Sequence, residues 1–324
     1  MNNPERFQKT LLYQTVDRVP YFENEIRREV ISRWCQEGLT SATQLHTDFP
    51  TDTYEEIEPL WSPLPPNRLW PDQHGSLKKL RKRLNINNPL RLPHNWFRLK
   101  KIATQQKVIL ILVVHQGFFL TLGVDDWRSF DQLIEHIRDD RGTIMKWMEI
   151  YGEYSAQMTD KILTTIKVDA ALFNEPIGGL NGPLISPAMY QEFVLPSYQS
   201  VLNILNKHHV SIIIFRTYAN ARLLIPAVLN AGMNTLWAYE GNCPEMDYRE
   251  LRTEFGPDLR LIGGIDLDAL RQRPEVIRQE IEEKVPALLA AGGYLPTADG
   301  RIREDVPFKN YVYYRELLRK FINI

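Results

Sequence analysis

Ser211-Ile212-Ile213-Ile214-Phe215-Arg216-Thr217-Tyr218-Ala219-Asn220 is the stretch on which the reading of the fold turns. Its apolar run has no polar alternation. That predicts a strand over Ser211–Phe215, buried on both faces as in a parallel sheet. Arg216 follows the last apolar residue and so stands at the carboxyl end of that strand, where ligands bind in parallel α/β proteins.

The same pattern recurs on both sides. Short apolar runs at Val108–Val114, Asp169–Phe173, Thr235–Tyr239, Leu259–Ile265 and Tyr294–Ala298 alternate with helical periodicity. The helices are expected over Phe130–Thr165, Ser186–Asn206, Arg222–Asn230, Asp247–Phe255, Pro274–Ala290 and Lys309–Phe321. Upstream, Asn3–Tyr13 and Glu25–Glu37 read as helices flanking a short strand, Asp17–Glu23. Thr40–Pro66 carries prolines and acids and shows no firm element, although a further strand could hide there. Asn67–Pro93 is basic and reads as a solvated helix face, with a phosphate-binding patch as the sharper alternative. Strand–helix repetition with short connections argues for an α/β protein with a parallel sheet. Seven or eight units in 324 residues match a single (β/α)8 TIM barrel over 1–324 with an N-terminal helical extension.

Nearly every expected strand ends in a polar residue. Glu23, His115, Asn174, Glu175, Arg216, Tyr218, Glu240, Asp266 and Asp299 would ring one mouth of the barrel, with Arg301 just past the last strand. Each alone could be a loop starter or helix cap, and Asp266 in LIGGIDLDAL suits a cap. Arg216 is either a structural ion-pair partner or a bidentate fork for a substrate carboxylate or phosphate. Tyr218 could donate a hydrogen bond or a proton.

Other chemistries find less support. No GxGxxG follows a strand, and no GxxxxGK[ST], HExxH, CxxC or HxH occurs. No cofactor and no metal is expected. Net charge is −1, which gives no global attraction for nucleic acid or an anionic membrane. The longest uninterrupted apolar run is far shorter than the ~20 residues of a transmembrane span. Two cysteines, Cys35 and Cys243, make no disulfide framework. A cytoplasmic protein with a small-molecule partner is expected.

Several segments resemble the uroporphyrinogen decarboxylase family. These are Asp17-Arg18-Val19-Pro20, NGPLISPAMYQEFVLPSY at 181–198, LRLIGGIDLDAL at 259–270, GGYLPTAD at 292–299 and VPFKNYVYY at 306–314. The resemblance runs essentially from Pro4 to Phe321. It implies a (β/α)8 barrel with its site at the carboxyl-terminal mouth, and a homodimer as the assembly to test. It also implies one of two chemistries: cofactor-free decarboxylation of porphyrinogen acetates, or methyl transfer between a corrinoid and a thiol with zinc. Where such relatives read His-x-Asp-Gly-Asn or His-x-Cys-Gly-Asn, this chain has Arg216-Thr217-Tyr218-Ala219-Asn220. Where they read Asp-His, it has Asp299-Gly300-Arg301. Arginine has no lone pair for a metal. The arginine-rich loop Arg-Gln-Ala-Gly-Arg of porphyrinogen decarboxylases is not found. The expectation is therefore a decarboxylase-like lyase acting without metal on a small anionic substrate. Arg216, Tyr218, Asp299 and Glu175 would be catalytic. His115, Asn174, Asn220, Glu240, Asp266 and Arg301 would bind substrate. The alternatives are a zinc- and corrinoid-linked methyltransferase, with zinc on Glu175, Glu240 and Cys243, and a non-catalytic ligand-binding barrel.

Overall fold

A computed structural model describes residues 1–65, 74–241 and 243–322. Its centre is a seven-stranded, all-parallel sheet: β1 (Tyr54–Ile57), β2 (Ile109–His115), β3 (Ala170–Asn174), β4 (Ile213–Tyr218), β5 (Thr235–Tyr239), β6 (Arg260–Ile265) and β7 (Tyr294–Ala298). The strands lie in chain order from β1 to β7, each joined to the next by a connection that contains helix.

The sheet is curled, and the side-chain parity of its strands shows it. In β2, Ile109, Ile111 and Val113 belong to an inner cluster with Leu172, Ile214, Trp237, Ile262 and Leu295. Leu110, Leu112 and Val114 belong instead to the larger core between sheet and helices. Both faces are buried, so the run cannot alternate with polar residues. Helix Asn3–Leu11 closes the amino-terminal end of the inner core with Phe7 and Leu11. Gln8 donates to Asp169 (2.9 Å) and Arg260 donates to the Leu11 carbonyl (2.9 Å), fixing the helix there.

Of four expectations, three need correction and one, a further strand within Thr40–Pro66, is met. Asp17–Glu23 forms no strand; the segment is held by scattered bonds, including a two-way exchange between Tyr21 and Asp52 (2.9 and 2.7 Å). The strand hidden in Thr40–Pro66 is β1. Phe130–Thr165 is two helices, Trp127–Asp139 and Arg141–Leu163, because Asp140 breaks the first and caps the second through the Thr143 amide (3.1 Å). Ser186–Asn206 is interrupted by a π-helical turn, Tyr190–Val194.

The central stretch also shifts. β4 begins at Ile213 and runs on through Arg216 to Tyr218, because the β3 and β5 backbones pair with it there: Asn174 and Trp237 sit opposite Arg216. In the basic stretch Asn67–Pro93, residues 67–73 lie outside the described residues. The helix His74–Arg83 buries Leu80 and exposes Lys78, Lys79, Arg81 and Lys82, a solvated face. No described helix is long and apolar enough to cross a membrane.

Candidate active site

Strand parity decides which polar residues meet. Successive side chains of a strand point to opposite faces. In β4, Ile214 lies in the inner core and Ile213 and Phe215 in the outer, so Arg216 and Tyr218 point inward. In β3, Leu172 is inner and Phe173 outer, so Asn174 faces in and Glu175 faces the helices. In β1, Tyr54 packs on the inner core and Ile57 on the outer. Glu56 therefore faces in, with Glu58 on the same parity just past the strand.

Arg216 is the hub of this inner face. Its Nε donates to Asn174 Oδ1 (3.1 Å), and its two terminal nitrogens grip the two oxygens of Glu56, Nη2 at 3.2 Å from Oε2. The guanidinium lies 5.6 Å from the ring centres of both Trp237 and Tyr239, within cation–π range. Burial alone would lower its pKa, but Glu56 and the neighbouring tyrosines outweigh burial, and the net shift is upward. Burial, then the Glu56 carboxylate, raises the Glu58 carboxyl, with Arg216 opposing.

The mouth is edged by tyrosines. Tyr218 and Tyr239 meet edge to face, with ring centres 5.3 Å apart. Tyr239 and Tyr54 both donate to Asn24 Oδ1 (2.9 and 3.4 Å), while the Asn24 amide donates to the carbonyls of Ala298 (3.3 Å) and Gly300 (3.0 Å). Asn24 thus ties β1, β5 and the end of β7 together. Arg301 follows Gly300, is exposed, and makes no hydrogen bond or ion pair among the described residues; burial raises the Tyr239 hydroxyl, with Arg216 and, more weakly, Arg301 opposing.

Other expected site residues have different surroundings. Asp299 is buried at the end of β7, where its Oδ1 accepts from the Leu267 amide (3.1 Å). Burial pushes its carboxyl up to about 7. Asp266 caps the short helix Leu267–Leu270, accepting from Asp268 (2.7 Å). Asn220 caps the turn after β4 through the Arg222 amide (3.1 Å) and is tied by its own N–H to Gly179 (3.1 Å). Glu240 follows β5 with a left-handed φ of 52°, which turns it outward to Arg303 (3.4 Å).

Glu175 and His115 are not brought to Arg216. Glu175 is buried in the helix layer, accepting from the Phe118 amide (2.9 Å) and from the Tyr198 hydroxyl. Burial raises it to about 7. His115 packs on the Tyr198 ring, 4.6 Å between centres. Its strand parity points inward, but a register shift between Val113 and His115 turns it to the helices, as a bulge does. Its Nδ1 accepts from the Gly117 amide (3.0 Å), which puts the proton on Nε2, and burial pushes its pKa down to about 3.

Zinc does not fit these residues. Arg216 has no lone pair for a metal and is already engaged by Glu56. Glu175 faces the helices and Glu240 pairs with Arg303, so they do not gather around Cys243. Among the described residues, no group of three or more His, Cys, Asp or Glu side chains could hold a metal ion.

Glu56, Glu58, Tyr54, Trp237, Tyr239 and Asn24 escaped the sequence reading. Tyr54-Glu55-Glu56-Ile57 carries neither an apolar run nor apolar–polar alternation, so nothing in it marks a strand. In comparisons with known proteins, the family model for uroporphyrinogen decarboxylase (URO-D) matches residues 125–311, more than half of the chain. No curated protein matches it.

Proposed function

Because this chain belongs to the uroporphyrinogen decarboxylase family, we propose that it is a decarboxylase-like lyase. It takes a small carboxylated substrate at the carboxyl ends of the strands and needs no metal. The sheet is read here as a (β/α)8 barrel in which Tyr21–Asn24 stands in the eighth place, bonded to Asp52 beside β1 and to Ala298 at the end of β7.

One observation carries the proposal. Arg216 is a fixed, permanently charged guanidinium on the inner face of the mouth. Asn174 accepts a hydrogen bond from Nε, and Glu56 accepts one from each terminal nitrogen. One N–H on each terminal nitrogen is left, since arginine carries five donors. With Arg301 at the rim, either of these donors suits a carboxylate oxygen.

The chemistry follows from where charge moves. The bond from carbon to the carboxylate breaks, carbon dioxide leaves, and the electron pair stays on the substrate carbon until a proton arrives. The carboxylate loses its charge on the way, so an unopposed cation on it would favour the ground state. Glu56 tempers Arg216 in that respect, while Arg301 draws the anion in. Tyr218, beside Arg216, supplies the proton. Tyr218, half-buried at the mouth, regains its proton from solvent.

The test is carbon dioxide release from a panel of carboxylated compounds, porphyrinogens included. Wild type should turn over at least one of them. Arg216→Ala and Arg301→Ala should each lower kcat/KM on the order of 100-fold, the scale of losing a charge-stabilising donor. Unchanged rates in both variants would favour a ligand-binding barrel whose mouth does no chemistry.

A further inference from the structure

We propose that Glu56 is a built-in carboxylate that restricts the substrate to a single carboxylate group, an inference that rests on the lyase reading above. β1 and β4 are not neighbours in the sheet; β2 and β3 lie between them. The Glu56–Arg216 pair therefore reaches across the inner face rather than along one ladder. It presents to Arg216 the two-oxygen edge that a substrate carboxylate would present. The pair is largely shielded, with the Arg216 side chain 11% and the Glu56 side chain 24% exposed. Asn174 fixes the guanidinium in its plane, and Trp237 and Tyr239 flank it. The fork is thus already filled by one carboxylate that the protein supplies.

Charge at the mouth then limits what enters. Glu56 comes from β1, Glu58 from just past it, Arg216 from β4 and Arg301 from beyond β7, with the neutral Asn174, Tyr218, Trp237 and Tyr239 between them. Arg216 is neutralised by Glu56, which leaves Arg301 as the cation without a partner among the described residues. A first substrate carboxylate takes Arg301 and one of the two remaining Arg216 N–H donors. A second would lie beside Glu56 and Glu58 with no cation of its own. Like charges a few ångströms apart at a partly shielded site disfavour binding by roughly tenfold or more.

The experiment is calorimetric binding of benzoate and isophthalate to the full chain at pH 7.5 and low salt. The two probes share one ring and differ by one carboxylate. Wild type should bind benzoate at least tenfold more tightly than isophthalate. Glu56→Gln keeps the shape and one acceptor for Arg216 but removes the charge, and it should shift the preference at least tenfold toward isophthalate. Glu56→Asp, which keeps the charge, should keep the wild-type preference. Should Glu56→Gln fail to fold, Glu58→Gln at the rim should shift the preference in the same direction by about threefold, as expected of a more screened charge. An unchanged preference in Glu56→Gln, with benzoate binding still lost in Arg301→Ala, overturns the role of Glu56 and leaves the carboxylate site standing. Benzoate binding indifferent to Arg301→Ala and to Arg216→Ala overturns the carboxylate site itself. Absence of isophthalate binding to Glu56→Gln overturns the role of Glu56.

Discussion

Arg216 and Glu56 hold each other in place, and neither is comfortable alone. Removing the guanidinium leaves a shielded carboxylate without its partner. Arg216→Ala should therefore cost about 2–3 kcal/mol of stability as well as activity, less than a fully buried pair because Glu56 keeps some solvent. Chemical denaturation measures it. Arg216→Lys keeps the charge but cannot bridge both Glu56 oxygens and Asn174; it should retain most of the stability and little of the activity. Glu175 gives a second residue-level expectation. Burial raises its carboxyl from its ordinary 4.5 to about 7, against the pull of the Tyr198 and Phe118 donors. Between those pH values the unfolded chain has released a proton that the native protein keeps. Stability from this group is full below 4.5, falls as pH rises to about 7, and is level above. Glu175→Gln removes the fall. Relative to wild type it should gain on the order of 3 kcal/mol between pH 4 and pH 8. His115, pushed down to about 3, acts in the opposite sense, favouring the native state as pH rises from 3 to its ordinary 6.5. Comparing wild type with Glu175→Gln across pH therefore isolates the carboxyl.

At the scale of the element, the strands sort the polar residues by odd and even position. The sequence made β5 and β7 legible to the residue, because each is a short apolar run between clear turn signals. Asn174, Arg216 and Tyr218 could be placed at a mouth for the same reason. The assignment of Glu175 and His115 to that mouth could not succeed from strand ends alone. Glu175 is one residue out of phase with Asn174, and His115 is turned by a bulge that no residue type announces. β1 was hidden because its inner face is Tyr54 and Glu56, so it has no apolar run. A second device at this scale is a wedge between β5 and β6. The Tyr248 hydroxyl accepts from the Ala238 amide (3.0 Å) and donates to the Ile262 carbonyl (2.8 Å), standing inside the ladder. Gly264 makes room: a Cβ there would lie 2.6 Å from the Tyr248 ring, and its φ is 83°. Tyr248→Phe should lose about 1–3 kcal/mol, because it strands two buried backbone groups. Hydrogen exchange of Ala238 should accelerate with it, and unaltered protection there would contradict the wedge.

Over the whole molecule, a curled sheet keeps two cores apart, one inside it and one beneath the helices. The inner core is closed at one end by Phe7 and Leu11, both fully buried, and topped at the other by the charged and phenolic groups around Arg216. Phe7→Ala should cost about 3–5 kcal/mol, which a thermal melt would register. That architecture was legible from the repeated strand–helix pattern and from the family resemblance. The chemistry at the mouth was only half legible, because the partner that fixes Arg216 comes from the one strand the sequence conceals. The central claim is that this mouth works on a carboxylate without a metal, and the most direct measurement is carbon dioxide release by protein exhaustively treated with a chelator. The account predicts the same rate as untreated wild type, with loss in Arg216→Ala. A rate abolished by the chelator and restored by zinc would contradict it.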